Sequence, residues 1–165
     1  MLLEAARLLL FPSLMAFAAS SDLLTLTISN RISLALALGF LILAAFCGLA
    51  PQTILWHLLT GLGVLAVGLA LFARGLVGGG DAKLAAVAAL WLGFDRLGDY
   101  ALFSSLLGGA VTFAILAFRL VPLPAWLARE AIVVQLHQPD GGVPYGIALA
   151  AAALLIYPST NWMPF

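Results

Sequence analysis

The chain has 165 residues, of which 64% are hydrophobic and 8% charged, against about half and about a quarter in a soluble domain. Seven basic and seven acidic residues are scattered without a charged block, so a water-soluble globule is excluded and nucleic acid is not a partner. Six spans of about 20 residues would leave only about 45 for loops and termini, which predicts one membrane domain over 1–165 with no separate soluble unit.

Apolar runs lie at roughly 3–20, 33–50, 54–73, 84–94, 100–118 and 144–158. They predict an all-α integral membrane protein with six transmembrane helices. The first run ends in Ala16-Phe17-Ala18, a pattern that also closes secretory signal peptides. Against cleavage, Glu4 cancels Arg7 and the n-region lacks positive charge. The second run holds Cys47, a lone thiol that offers neither a disulfide framework nor a thiolate metal site. The fourth run is short for a crossing and extends only by drawing in the glycines before it. Between the fifth and sixth runs, Pro124 to His137 combine Trp126, Leu127, Ile132 and Val133 with Arg129 and Glu130, the composition of a short helix lying on the cytoplasmic surface. Trp56, Trp91, Trp126, Tyr100, Tyr145, Tyr157 and Trp162 stand near run ends, where an aromatic belt would form, and His57 reads as interfacial on the outer side.

Arg31, Arg74, Lys83, Arg119 and Arg129 fall in alternate loops, and Arg7 and Arg96 on the other side. Basic residues are retained in the cytoplasm, so both termini are expected outside it. Asp22 and Asp81 are separated by two runs and return to one rim, the cytoplasmic one. Asp95 and Asp99 follow a further crossing and lie opposite, whereas Glu130 and Asp140 share the cytoplasmic side.

Each aspartate also has a reading without chemistry. Asp22 could be a solvated loop residue after the first helix, and Asp81 the N-cap of the fourth. Asp81 nevertheless follows Gly75, Gly78, Gly79 and Gly80 and precedes Lys83. So many glycines are expensive in a helix, and in lipid they must line water or pack closely on protein. Close backbone approach would admit an extended peptide beside a carboxylate, and a Gly75-xxx-Gly79 helix contact explains the run equally well.

Gly78-Gly79-Gly80-Asp81-Ala82-Lys83 resembles the GxGDxK signature of prepilin peptidases, which are intramembrane aspartic proteases. Asp22, followed by Ile28, Asn30 and Arg31, is similar to the family's first-aspartate segment, with Ser29 where a proline is usual. Val143-Pro144-Tyr145-Gly146-Ile147-Ala148 is similar to the Pro-Tyr-Gly opening of the last span. A single cysteine cannot form the paired CxxC motifs of the larger, methylating members, so the chain resembles the short form associated with tight-adherence, Flp-type pili. The resemblance implies Asp22 and Asp81 as the catalytic pair, with Gly78, Gly79, Gly80, Lys83 and Asn30 in binding or supporting roles. It implies a prepilin as substrate, no cofactor or metal, and a multi-pass protein of the bacterial inner membrane with its site facing the cytoplasm.

Two carboxylates hydrolyse an amide by sharing a proton, one activating water while the other polarises the carbonyl. Lys83 could stabilise a carboxylate or simply mark the inner side. A metal held by Asp22, Asp81 and His137 is disfavoured, since His137 has no spaced partner. The competing class is a small transporter or a non-catalytic membrane assembly subunit. Transporters, however, place coupling groups near the midplane and show repeated halves, and no repeat is found here.

Overall fold

The computed structural model describes residues 2–124, 126–139 and 141–160. Among them the regular elements are helices: α1 (Leu2–Thr25), α2 (Asn30–Phe46), α3 (Pro51–Ala73), α4 (Gly79–Leu92), α5 (Leu97–Leu120), α6 (Ala131–His137) and α7 (Tyr145–Ile156). Turns of 3₁₀ helix lie at Phe94–Arg96, Leu127–Arg129 and Tyr157–Ser159. Three helical stretches, Leu3–Thr25, Pro51–Ala73 and Phe94–Leu120, are long and apolar enough to cross a membrane, and Asn30–Phe46 and Tyr145–Ser159 are shorter apolar helices.

The apolar runs therefore become helices of two kinds. The long ones turn large side chains outward, among them Leu9 and Phe17 on α1, Leu62 on α3 and Phe113 on α5. By contrast, α4 and α7 have only 14 and 12 residues, are rich in alanine, and bury most of their side chains. At 1.5 Å per residue α4 is about 21 Å long, short of the roughly 30 Å of hydrocarbon in a bilayer. Protein covers most of its flanks, so its length need not match the lipid.

Glycine sets the approach of α3 and α4. A Cβ on Gly61 would lie 3.0 Å from Leu90 Cβ, and one on Gly68 2.9 Å from Ala82 Cβ, so neither position admits a side chain without the helices moving apart. The Gly75-xxx-Gly79 contact, the alternative explanation of the glycine run, does not form, because Gly75 lies after the helix. It takes φ +71°, its N–H bonds the Phe72 carbonyl at 2.9 Å, and Leu76 N–H bonds Leu71 at 3.0 Å, which ends α3. A Cβ there would meet open space.

An aromatic core closes the end of the molecule away from the aspartates. Ring centroids of Phe11 lie 4.6 Å from Tyr157 and 5.1 Å from Trp91. Trp91 Nε1 donates to the Leu36 carbonyl at 2.9 Å, and the Tyr157 hydroxyl donates to the Arg7 carbonyl. The aromatic belt is thus corrected: Trp91, Tyr100 and Tyr157 are core residues, Trp91 and Tyr157 because they end the central α4 and α7, and Tyr100 because it sits on the buried face of α5. Trp56 and Trp126 are exposed as a belt requires, Tyr145 is half-buried, and Trp162 lies outside the described residues.

The surface helix expected between Pro124 and His137 is α6 with the 3₁₀ turn before it. Arg119, in the last turn of α5, ties it down by donating to the carbonyls of Leu136 at 2.9 Å, Gly141 at 2.8 Å and Gly142 at 3.2 Å.

Candidate active site

The first wall of the site comes from the end of α1. Leu26 takes a left-handed φ of +50°, with its N–H bonded to the Asp22 carbonyl at 2.8 Å. That conformation costs a residue with a Cβ about 1–2 kcal/mol, and here it reverses the chain immediately beside Asp22. Ser29 then caps α2 through its Oγ, which accepts the Arg31 N–H at 3.3 Å. Its φ of −65° is one a proline would also hold, so serine preserves the backbone course expected of the usual residue.

Ile28 wedges this loop between the first turns of α4 and α7. A Cβ on Gly80 would fall 3.2 Å from Ile28 Cβ, and one on Gly146 2.8 Å from Ile28 Cδ1. The end of α1 and the starts of α4 and α7 are thereby gathered at one end of the molecule.

Asp22 is not a solvated loop residue. It sits in the last turn of α1, 5% exposed, and its Oδ2 accepts the Gly146 N–H at 2.7 Å. A carboxylate from one helix thus occupies the N-terminus of another, where unpaired amides and the helix dipole favour negative charge.

Asp81 is half-buried and belongs to the first turn of α4, before the apolar run begins. It does not occupy the N-cap position, which is held by Gly78; its carboxylate reaches back to the Gly78 N–H from within the turn. A Cβ on Gly78 would lie 2.8 Å from Asp81 Oδ2.

Both carboxylates line one cavity of about 780 Å³. Gly78 also lines it, with Leu26, Val67 and Leu71 on one side and Tyr100, Ser104 and Tyr145 on the other. Gly79 and Gly80 lie behind the wall, packed on Phe72 and Ile28. Lys83 turns away from the acids, its Nζ donating to Asn30 Oδ1 at 2.8 Å. That bond joins α4 to the start of α2, so two of the proposed supporting residues support each other.

Other acidic residues are kept apart. Asp95 and Asp99 lie beyond the opposite end of α4, where Asp99 faces Arg96 at 3.6 Å and Arg96 donates to the Ser159 carbonyl at 2.8 Å. Glu130 is exposed at the start of α6, and Asp140 lies outside the described residues. His57 is at that opposite end too, half-buried, with Nδ1 2.7 Å from the Leu90 carbonyl. His137 packs edge-on against Phe118, and among the described residues no group of three or more potential metal ligands forms.

Sequence reasoning missed three contributors. Gly146 was visible only as part of a span opening; its amide finds Asp22 through tertiary packing. Tyr100 and Ser104 left a faint signal, two hydroxyls one turn apart in a mostly apolar helix, the spacing of an inward-facing stripe.

A model of the type IV leader peptidase family matches residues 9–157, a stretch that includes Asp22, Asp81 and Gly146. No curated protein and no solved structure matches the chain.

Proposed function

The chain belongs to the type IV leader peptidase family, and from that premise we propose that it is an aspartic endopeptidase in which Asp22 and Asp81 cut the leader from Flp-like prepilins. The observation that carries this reading is the convergence of two acids from α1 and α4 on one cavity. Helical packing separates Asp95, Asp99 and Glu130 from them.

In the proposed reaction the ionised carboxylate takes a proton from water while its protonated partner hydrogen-bonds the scissile carbonyl. The water oxygen adds to the carbonyl carbon, the C–N bond breaks, and the departing amine receives the proton. Gly78, Gly79 and Gly80 allow the start of α4 to lie close to Asp81 and Ile28, while Lys83 and Asn30 hold α4 to α2.

The membrane arrangement belongs to the same proposal. One domain crosses the inner membrane six times, on α1 to α5 and α7, with the two acids at the cytoplasmic rim and α6 on that surface. A prepilin leader in the cytoplasm, followed by an apolar helix in the bilayer, would present its cut site at that level.

The test is coexpression with an Flp-type prepilin, read by the gel shift of leader removal. Asp22→Asn and Asp81→Asn are each expected to abolish processing with insertion and abundance nearly unchanged. Complete processing by either variant overturns the catalytic assignment.

A further inference from the structure

Beneath the two aspartates, the same cavity continues along α5 into the apolar interior. The start of α5 lies at the far end of the molecule, where neighbouring Arg96 bonds Ser159, and the helix then rises toward the acids. It reaches their level at Gly108, whose missing Cβ leaves the space filled by the Tyr145 ring, next to the Gly146 amide that holds Asp22. Ser104 and Tyr100 lie one and two turns before Gly108, so their backbone is displaced from the acids by about 6 and about 12 Å along the helix. In the proposed orientation that displacement runs toward the membrane interior.

Tyr100 is 3% exposed and Ser104 7%, and both line the cavity. Their hydroxyls are neighbours on the helix face and interact with each other, yet neither Tyr100 Oη nor Ser104 Oγ completes a hydrogen bond with any further described group. A buried pair of hydroxyls that has only itself to bond leaves hydrogen-bonding capacity unused, which natural interiors rarely keep without a use. Other serines on exposed helix faces bond back to their own helix, as Ser105 does to the Ala101 carbonyl at 2.7 Å and Ser20 to Ala16 at 2.9 Å. Ser104 forgoes that local bond.

A peptide cut beside a membrane has the complementary deficit. Its helix must open around the scissile bond, and each opened residue exposes an N–H and a C=O that lipid cannot satisfy. Resting on the protease reading above, we propose that Tyr100 and Ser104 form a subsite that hydrogen-bonds the main chain of the substrate on the membrane side of the cut, holding the first residues of its apolar segment unwound. The deficit on each side is met by the other. A cavity of about 780 Å³ is in the range of sites that enclose a small ligand or a short peptide segment.

The test uses the full chain reconstituted in vesicles with an intact Flp-type prepilin. Tyr100→Phe and Ser104→Ala are each expected to raise KM roughly three- to tenfold with kcat within about twofold, since one hydrogen bond to bound substrate is lost in each. Each substitution removes only one hydroxyl and its contact with the other, so the apparent Tm is expected to stay within about 4 °C of wild type. Equal KM values for wild type and the double variant, with Asp81→Asn still inactive, overturn the subsite alone. Leader removal that fails in the wild type overturns the protease reading and the subsite with it.

A second measurement is independent of turnover. In a Cys47→Ser, Asp81→Asn, Ser104→Cys chain, disulfide formation with single-cysteine prepilins is expected at positions just after the cut and not within the leader. Cross-linking confined to the leader, or none at any position, overturns the proposal.

Discussion

Asp22 and Asp81 reach the same cavity by opposite routes. The surroundings of Asp81 are local: three residues before it, Gly78 caps the helix and supplies the amide its carboxylate meets. Those of Asp22 are assembled from a distance, since its hydrogen-bond donor Gly146 is 124 residues away and its loop is held by Ile28 between α4 and α7. One acid is positioned by a motif and can swing with its own turn. The other is positioned by the packing of three helices and has little room to adjust.

Gly146→Ala and Gly78→Ala test that asymmetry most strongly. A Cβ at 146 would meet Asp22 Oδ2 at 2.8 Å, Asp22 Cγ at 3.0 Å and Ile28 Cδ1 at 2.8 Å, pressing at once on the carboxylate it holds and on the loop beside it. Processing is expected to fall about a hundredfold, the loss that accompanies a misplacement of about 1 Å, whereas Gly78→Ala loses less than about tenfold. The Cβ at 78 meets only the Asp81 carboxylate, the far end of a side chain that can rotate away. Initial rates of leader removal decide the matter, and equal losses would erase the distinction between the two acids.

The smallest effect is expected at the bond between Lys83 and Asn30, which lies at the surface. Lys83→Met should change stability by less than about 1 kcal/mol, as exposed polar pairs do, and leave processing within a few-fold of wild type. A loss as complete as that of Asp81→Asn would instead make Lys83 a direct partner of the carboxylates.

Much of this was written locally. Helix breaks at Gly75 and Gly78, the cap at Ser29 and the apolar runs follow from conformational preference and from backbone that lipid cannot satisfy, both properties of short stretches of chain. Such reasoning ended the first apolar run short of Asp22 and put Trp91 in an interfacial belt, because it has no access to which helices become central. A 14-residue helix is ambiguous as a crossing until its neighbours are known to cover it.

The sequence by itself determined a helical membrane chain, the two aspartates and the family to which their setting points. Only the tertiary structure decided that Gly146 serves Asp22, that Lys83 serves Asn30, and that Tyr100 and Ser104 face the acids' cavity with no partner beyond each other. The physical reason is one of range: turns and caps are settled by neighbours along the chain, whereas the partner of a buried polar atom depends on which distant surfaces come within 3 Å of it.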